Sequence, residues 1–333
     1  MSASTRPDLR LPGGPGLEVR PVTLADVEEV YSLVAAAALA ITGDPDTTRE
    51  ETLADLQDSR LDLAADTTLV LTTGNHPQAI GYALAAADEV DAYIDVYLDP
   101  ALPDDAYEAL GGPLLDWTLR RVRERVSAEG REPAKVFTGS YLQEARQRAL
   151  LEAAGFAAER LYWRMSIELA GRPPRPPLPS SMTLRRLDLA DDDDRRLAHR
   201  LHEEPFTEHH GYQPESYDHF WERHPADSPV LDPSMWWVAE VDGEPAGMLR
   251  GSETRASEGG GYVASLGVLA QHRGLGVGKQ LLHESFDQYE AKGRTWVSLG
   301  VDSENATGAT RLYESVGMRP TATVVQYTRQ LSR

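Results

Sequence analysis

The sequence contains no cysteine and no apolar run long enough to cross a membrane. Without cysteine there is no disulfide framework, no thiolate nucleophile and no cysteine-type zinc site. The longest apolar stretch, Leu33 to Ile41, is far shorter than the roughly 20 residues that a bilayer-spanning helix needs. Residues 6–16 also lack the apolar core of a signal peptide. These absences predict a cytoplasmic protein with no membrane partner.

Basic residues are also outnumbered by acidic ones. The 333 residues include 33 lysines and arginines against 53 aspartates and glutamates, a formal net charge of −20. Such a surface lacks the basic footprint that nucleic acid binding requires, so we predict no nucleic acid partner. A small cationic or amine substrate fits this field better. The histidines His209, His210, His219 and His224 do not form a metal-binding pattern, and we predict no catalytic metal.

Two halves of similar size flank a proline-rich segment. Residues 171–180 contain five prolines, which favour an extended, semi-rigid linker. Both halves begin with a similar phrase, at 17–26 and 182–191, and share a second one, at 150–156 and 312–318. The repeated order predicts a duplicated fold. The predicted boundaries are 1–16 for a flexible arm, 17–170 for the first domain, 171–180 for the linker and 181–333 for the second domain.

In the second half, apolar periodicity alternates between strands and helices, as an α/β (α+β) fold requires. Asp242-Gly243 between two apolar runs predicts a β-hairpin. Gly293 predicts the end of a helix, and the acidic run over 191–194 suits a helix N-terminus. The predicted strands are 182–187, 236–241, 247–251, 261–268 and 296–301, followed by a helix over 309–316 and a last strand pair around 321–330.

A glycine-rich loop, His272-Arg-Gly-Leu-Gly-Val-Gly-Lys279, joins the strand over 261–268 to a helix. Such a loop presents unpaired N–H groups to an anion at the helix N-terminus. A Walker loop does not fit, because Arg273 stands at its first glycine and Gln280 follows the lysine. A dinucleotide fingerprint does not fit either, because Lys279 replaces its third glycine.

The spacing of Arg273, Gly276 and Gly278 resembles the R-x-x-G-x-G coenzyme A loop of the GNAT N-acetyltransferase superfamily. Residues 301–317 resemble the strand, loop and helix that end in the family's L-Y-E-x-x-G phrase, and the likeness covers 182–330. It implies two tandem GNAT domains, each a mixed, mostly antiparallel sheet flanked by helices, with acetyl-CoA as co-substrate. The arrangement is similar to tandem proteins of the mycothiol synthase type, which pair a worn first copy with an active second one.

The resemblance also implies site residues. Tyr313 matches the tyrosine that protonates the departing coenzyme A thiolate, and a phenol with a pKa near 10 is protonated at neutral pH. Packing beside Leu312 is the alternative role for Tyr313. The implied cofactor-binding residues are Leu266, Gly267 and Val268 for the pantetheine arm, Arg273, Gly274, Leu275, Gly276, Val277, Gly278 and Lys279 for the pyrophosphate, and Asn305.

The general base is not assigned by the resemblance, because Ala264 stands where related enzymes often carry an acid. Glu208 and His210 are our candidates, since the segment over 203–211 overhangs the acceptor in this fold. Surface polarity or a helix cap is the alternative explanation for both. The aromatic residues that follow either line an acceptor pocket or form the buried stripe of a helix; they are Tyr212, Tyr217, Phe220 and Trp221.

The first half lacks the corresponding site. After its strand over 91–100, residues 101–113 contain no arginine and no G-x-G, and they place carboxylates where pyrophosphate would lie. Like charges there would repel the cofactor. Leu151 takes the place of Tyr313. We therefore expect this domain to keep the fold without binding acetyl-CoA or catalysing.

Together these features predict an N-acetyltransferase that transfers an acetyl group from acetyl-CoA to a primary amine of a small molecule in a ternary complex. The expected acceptors are of aminoglycoside, polyamine or amino-sugar type, and the chain is expected to act as a monomer or homodimer. The alternatives are a mycothiol synthase-like acetyltransferase, a regulatory module that binds acyl-CoA without turnover, and a structural protein whose glycine loop is inert.

Overall fold

The computed structural model describes residues 9, 16–58, 60–87, 91–128, 130, 135–207, 212, 214–225, 228, 231–304 and 308–331. The chain divides into two compact units. Unit 1 comprises Met1–Tyr162 and Ala322–Arg333, and unit 2 comprises Trp163–Thr321. This division differs from the sequence-based boundaries, because the end of the chain belongs to unit 1 and the proline-rich segment belongs to unit 2.

The first half of the chain alternates strands and helices. Its strands are β1 (Leu17–Arg20), β2 (Thr67–Thr72), β3 (Ala79–Ala87), β4 (Ala92–Leu98), β5 (Lys135–Tyr141) and β6 (Ala157–Glu168). Its helices are α1 (Val27–Thr42), α2 (Arg49–Leu56), α3 (Leu63–Asp66), α4 (Asp104–Ala128) and α5 (Ala145–Ala153).

The second half repeats this alternation. Its strands are β7 (Met182–Arg186), β8 (Trp236–Val241), β9 (Glu244–Ser252), β10 (Gly260–Val268), β11 (Trp296–Asp302) and β12 (Arg319–Gln330). Its helices are α6 (Asp192–Glu203), α7 (Tyr217–Glu222), α8 (Val277–Ala291) and α9 (Ala309–Ser315).

Each unit is built on a mixed, mostly antiparallel sheet flanked by helices, so the predicted fold class is confirmed. In unit 2 the strand order is β6-β11-β10-β9-β8-β7, and in unit 1 it is β1-β2-β3-β4-β5-β12. The predicted final strand pair is wrong. The chain instead ends in one long strand, β12, whose residues 324–330 pair antiparallel with β5. Unit 1 therefore takes its last strand from the end of the chain.

Local sequence signals explain several element boundaries of unit 2. Asp242 and Gly243 adopt φ values of 53° and 83°, and this left-handed pair forms the tight turn between β8 and β9. Gly293, with φ 76°, follows α8 as predicted. The Asp191 side chain accepts a hydrogen bond from the Asp193 backbone N–H, which caps the N-terminus of α6.

The sheet of unit 2 buries both faces. On one face, residues of β9, β10 and β11 pack with Leu281, Leu282 and Phe286 of α8 and with Tyr313 of α9. On the other face, a second cluster joins Leu201 of α6 and residues of α7, β8 and β9. We call these the α8/α9 face and the α6/α7 face. A site formed in the sheet can therefore be supplied with side chains from both sides.

The proline-rich segment, residues 171–180, runs alongside helix α8. Arg172 donates to Asp287 at 2.5 Å and to Glu290 at 2.9 Å, and Arg175 donates to Glu284 at 2.7 Å. The Gln280 amide donates to the carbonyl oxygens of Pro176 and Pro177, each at 3.2 Å. The expected extended segment is thus held against α8 within unit 2. None of the helices in the described ranges combines the length and apolar character needed to span a bilayer.

Unit 1 contains a partly buried acidic side chain that is expected to lower its stability at neutral pH. Asp95 of β4 lies opposite Leu84 of β3, and no hydrogen bond or ion pair joins it to the described residues. Burial raises the pKa of Asp95 from 3.8 to about 6. Because the folded chain then binds this proton more tightly than the unfolded chain, stability falls as pH rises from about 4 to about 6.

We therefore expect Asp95→Asn to raise the melting temperature by about 2–4 °C at pH 8, with the gain disappearing near pH 4. Thermal unfolding at several pH values measures this difference. Glu108→Gln, which removes an exposed carboxylate from α4, is the control and should change little at any pH. A loss of stability in Asp95→Asn at pH 8 would show that the carboxylate makes a favourable contact.

Candidate functional site

At the centre of unit 2, the parallel strands β10 and β11 pair at their N-terminal ends and then diverge. β10 and β11 pair at Gly260↔Trp296, Gly261↔Val297 and Tyr262↔Ser298. β10 then continues, and its other edge stays paired with β9 as far as Val268↔Gly247. In the described ranges, the edge of β10 that faces β11 therefore has no strand partner after Tyr262. An extended ligand with amide groups can hydrogen-bond along such an edge.

The glycine loop opens at the end of β10. Gly274 and Gly276 adopt φ values of 80° and 83°, and a Cβ at either position would meet nothing within 4 Å. The Gln280 N–H donates to the Gly276 carbonyl at 3.0 Å, which begins the hydrogen bonding of α8. The N–H groups of residues 274–279 find no acceptor within the described chain, so this helix N-terminus is open to an anion.

Two close contacts of glycine shape the surroundings of the loop. A Cβ at Gly278 would lie 2.8 Å from Leu312 Cδ2, so the first turn of α8 can approach α9 only because this residue is glycine. A Cβ at Gly267 would lie 2.8 Å from the Leu201 carbonyl oxygen, so α6 also approaches β10 closely. Arg273 Nε donates to the Val268 carbonyl at 3.4 Å, which ties the loop to the strand end.

Tyr313 lies on α9, which begins after Gly308 in the left-handed conformation (φ 77°). Its side chain is buried, and no hydrogen bond joins its hydroxyl to the described residues. Burial, reinforced by the neighbouring Tyr262, raises the pKa of Tyr313 to about 12. The phenol is therefore protonated at neutral pH and keeps its proton available for donation.

The structure locates the other predicted residues as follows. Leu266, Gly267 and Val268 form the end of β10, and residues 273–279 form the loop and the first turn of α8. Glu208, His210 and Asn305 lie outside the described residues. Ala264 lies at a β-bulge, where the register with β9 shifts between Val263 and Ser265. Because the bulge reverses the alternation, Ser265 is the polar side chain of β10 on the α6/α7 face.

The aromatic residues near α7 act mainly in packing. Phe220 is fully buried in the core of the α6/α7 face. The Tyr217 hydroxyl donates to Asp192 at 2.8 Å, and Trp221 stacks on Trp236 at 5.7 Å between ring centroids. The buried-stripe alternative therefore describes Phe220 and Trp221.

Sequence reasoning missed a group of polar residues on the α6/α7 face. His202 Nδ1 lies 3.3 Å from Ser265 Oγ, and Arg250 Nη1 lies 2.5 Å from His224 Nε2. Burial lowers the pKa of His202 to about 4, so this ring is neutral at pH 7. The available signal was Arg250 itself, a charged residue in the apolar strand Gly247 to Gly251.

One group of possible metal ligands lies beside these residues. His202, Glu203 and Glu215 bring ligand atoms within 4.8 Å of one another. However, Glu203 accepts hydrogen bonds from the Tyr212 hydroxyl and from the Glu215 N–H, and Glu215 pairs with Arg223 at 3.1 Å. Because protein groups already satisfy both carboxylates, we assign no metal to them.

The matching positions of unit 1 carry different residues. β4 and β5 also diverge, since among the described residues of unit 1 their parallel pairing covers only Ala92↔Val136 and Tyr93↔Phe137. However, the helix after β4 begins with Asp104 and Asp105 in its first turn. Leu151 on α5 is buried where unit 2 has Tyr313. Unit 1 thus keeps the parted strands and lacks both the loop chemistry and the phenol.

Comparisons with known proteins identify relatives of this architecture. Residues 195–318 match the model of the acetyltransferase (GNAT) family. A mycothiol acetyltransferase from Thermobispora bispora is 28% identical over 322 residues, which cover 92% of this chain and 97% of that protein. A second one, from Salinispora arenicola, is 34% identical over 192 residues, 54% of this chain and 59% of that protein.

Two solved structures share the fold over nearly the whole chain. A GCN5-related N-acetyltransferase from Sphaerobacter thermophilus gives a TM-score of 0.80 at 28% identity, covering 96% of this chain and 97% of that one. A tandem GNAT protein from the clavulanic acid biosynthesis pathway gives a TM-score of 0.69 at 15% identity, covering 95% and 99%. The tandem arrangement of two such units therefore has a structural precedent.

Proposed function

We propose that unit 2 transfers the acetyl group of acetyl-CoA to the amine of a small molecule, because residues 195–318 match the acetyltransferase (GNAT) family and the similar proteins that span nearly the whole chain are acetyltransferases. The observation that carries this proposal is the combination of three features in one unit. They are the edge of β10 that lacks a strand partner after Tyr262, the open N-terminus of α8 and the buried phenol of Tyr313. The three features match the three parts of the reaction: holding the pantetheine arm, holding the pyrophosphate and protonating the leaving thiolate.

The cofactor is proposed to lie along the end of β10. The free backbone groups of residues 266–268 would pair with the amides of pantetheine, and the N–H groups of 274–279 would hold the pyrophosphate. Lys279 and Arg273 place positive charge at this loop in a protein whose net charge is −20. Asn305, in the segment between β11 and α9, is proposed as a further contact.

In the proposed reaction, the amine nitrogen attacks the thioester carbonyl, a C–N bond forms and the C–S bond breaks. A backbone N–H near Val268 would polarise the carbonyl oxygen. The Tyr313 hydroxyl then gives its proton to the coenzyme A sulfur, which leaves as the thiol. Holding both reactants in one complex supplies much of the rate, because the attack becomes effectively unimolecular.

The acceptor amine must lose a proton during this attack. Glu208 and His210 remain our proposed bases, because they lie in the segment that joins α6 to α7. Neutral His202 can hold the Ser265 hydroxyl but is a weak base, since its pKa lies near 4 and efficient bases have pKa values near the working pH.

We expect Glu208→Gln or His210→Asn to lower kcat about 10²-fold at pH 7, and less at pH 9, where more of the amine is already neutral. A kcat that is unaltered in both variants would remove these residues from the mechanism.

The acceptor is proposed to be that of a mycothiol acetyltransferase. The relatives that match over most of the chain carry this name, which favours it over the aminoglycoside, polyamine and simple amino-sugar acceptors predicted from the sequence. The test compares coenzyme A release with desacetylated mycothiol, glucosamine, spermidine and kanamycin. Preference for desacetylated mycothiol supports the proposal, and preference for one of the other amines would reassign the acceptor.

Unit 1 is proposed to bind no acetyl-CoA. Its helix N-terminus after β4 carries Asp104 and Asp105, whose charges repel a pyrophosphate. Calorimetric titration of the full chain should therefore give one acetyl-CoA per chain, and a stoichiometry of two would contradict this assignment.

A further inference from the structure

Arg250 is a largely buried cation with no anionic partner among the described residues. It lies on the central strand β9, and its Nε is fully enclosed without a hydrogen-bond acceptor. Its guanidinium lies 5.4 Å from the centre of the Trp236 ring. Burial lowers the pKa of Arg250 to about 10, so it stays charged at neutral pH. A buried charge without a counter-ion is costly, which raises the question of what offsets it.

The side chain that contacts Arg250 is an uncharged histidine. His224 Nδ1 lies 2.6 Å from the Phe220 carbonyl oxygen, which can only accept, so Nδ1 carries the proton. Arg250 Nη1 lies 2.5 Å from His224 Nε2 and can only donate, so Nε2 offers its lone pair. The two contacts together fix the neutral tautomer. His224 therefore orients the guanidinium and does not neutralise it.

The nearest acids serve other partners. Glu215 acts on Arg250 only at a distance, and its carboxylate pairs with Arg223 at 3.1 Å. Glu203 accepts hydrogen bonds from the Tyr212 hydroxyl and the Glu215 N–H. Arg250 is partly exposed, and its guanidinium thus has donor capacity that no acidic group of the described chain takes up.

The position of Arg250 relates it to the proposed transfer. Across the sheet it lies opposite Ser265 of β10 and Trp236 of β8, and Ser265 immediately precedes the strand end proposed to hold pantetheine. Arg250 therefore lies on the α6/α7 face, whereas Tyr313 belongs to the cluster on the opposite face. Because Ser265 pairs with Arg250, an amine that reaches a thioester at the end of β10 from the α6/α7 side would pass near Arg250.

We propose that Arg250 binds a pair of adjacent oxygen atoms on the acceptor and so determines which amine is acetylated. This inference rests on the proposed function. The planar guanidinium matches two neighbouring oxygens, whether they belong to a carboxylate or to vicinal hydroxyl groups of a sugar or cyclitol. The acceptor region would then present a cation to the acceptor, although the chain as a whole carries a net charge of −20.

The test compares the variants Arg250→Gln and Arg250→Lys with the wild-type full chain. We expect the acceptor KM to rise about 10–100-fold in both variants. Gln lacks the positive charge, and Lys keeps the charge but lacks the planar pair of N–H donors. The kcat and the acetyl-CoA dissociation constant should change less than about threefold. The matched control is Arg186→Lys. Like Arg250, Arg186 lies over a tryptophan ring, at 5.2 Å from Trp237. Trp237 is the neighbour of Trp236 on β8 and faces the opposite side of the sheet. This control should leave every kinetic constant unchanged.

Two arms distinguish the sources of the oxygen pair. One acceptor is desacetylated mycothiol, which has vicinal hydroxyls. The other arm uses an α-amino acid and its carboxamide, which differ only in the carboxylate. A large effect of Arg250→Gln with the first acceptor assigns hydroxyl recognition. A preference for the acid over the amide that is lost in Arg250→Gln assigns carboxylate recognition.

The outcomes separate this inference from the proposed function. If the wild type transfers no acetyl group to any amine, the proposed function fails and the inference fails with it. If the wild type is active and the acceptor KM is unchanged in both variants, only the inference is overturned. If both variants lose acetyl-CoA binding and melt at much lower temperature, Arg250 is a structural residue and the inference is also overturned. Restoration of a low acceptor KM in Arg250→Ala by added guanidinium would support it directly.

Discussion

Replacing Tyr313 by Phe lowers kcat for acetyl transfer by about 10²–10⁴-fold, the range expected for loss of a general acid, and leaves the acetyl-CoA dissociation constant within about twofold. The reason is that the phenol contributes only when the C–S bond breaks and the thiolate needs a proton. Burial holds the pKa of Tyr313 at about 12, so the group is protonated throughout the working pH range. Steady-state kinetics and calorimetry of the two proteins measure this separation of rate from affinity.

The control removes another buried phenol hydroxyl in the same unit. The single proton of the Tyr289 hydroxyl is within hydrogen-bond distance of the carbonyl oxygens of Ser252 and Tyr262, and the hydroxyl oxygen accepts from the Ser252 N–H. Tyr289→Phe should therefore lower stability by about 1–3 kcal/mol and keep kcat within a few-fold. If Tyr313→Phe behaved in the same way, with lost stability and a normal kcat, Tyr313 would be a packing residue and the proposed acid would have to be sought elsewhere.

Replacing Gly276 by Val weakens acetyl-CoA binding by about 100-fold or more. Gly276 has φ 83°, a conformation that costs a β-branched residue about 1–3 kcal/mol, and the new side chain would occupy the open space in front of the α8 N-terminus. The wild-type melting temperature should rise with acetyl-CoA by mass action, about 2.7 kcal/mol of stabilisation at 100 times the dissociation constant. This rise should disappear in the variant.

A glycine at the other end of the same helix provides the matched control. Gly293 has φ 76°, and a Cβ there would also meet nothing within 4 Å. Gly293→Val therefore introduces a similar backbone strain without touching the loop, and it should lower the melting temperature while preserving the rise with acetyl-CoA. Equal loss of cofactor response in both variants would mean that strain, and not the blocked site, explains the result for Gly276.

Much of unit 2 was predictable because its chemistry is local in sequence. The Asp242-Gly243 turn, the Gly293 helix end and the loop from Arg273 to Gly278 each depend on backbone conformations that few residues adopt. The family resemblance likewise depends on short motifs in which each residue has a defined spacing. These signals identified the fold and the proposed cofactor site without knowledge of distant contacts.

The remaining features depend on contacts between residues far apart in the chain. The pairing of β12 with β5 joins residues 183 to 195 positions apart, so the sequence alone suggested a final strand pair. The contact between Arg250 and His224 requires the approach of α7 to the sheet, and the bulge at Ala264 decides that Ser265 faces α6. No short motif specifies such relations, and the acceptor side was therefore the part of the site that sequence reasoning described least.

The central claim is that acetyl-CoA binds at the glycine loop of unit 2, and at no second site, for transfer of its acetyl group to an amine. The most direct measurement is coenzyme A thiol release by the full chain, with desacetylated mycothiol as acceptor and calorimetric titration of acetyl-CoA on the same preparation. The account predicts one acetyl-CoA per chain and amine-dependent thiol release that is lost in Gly276→Val. Binding of acetyl-CoA that survives in Gly276→Val, or the absence of any thiol release with desacetylated mycothiol and the other amines, would contradict it.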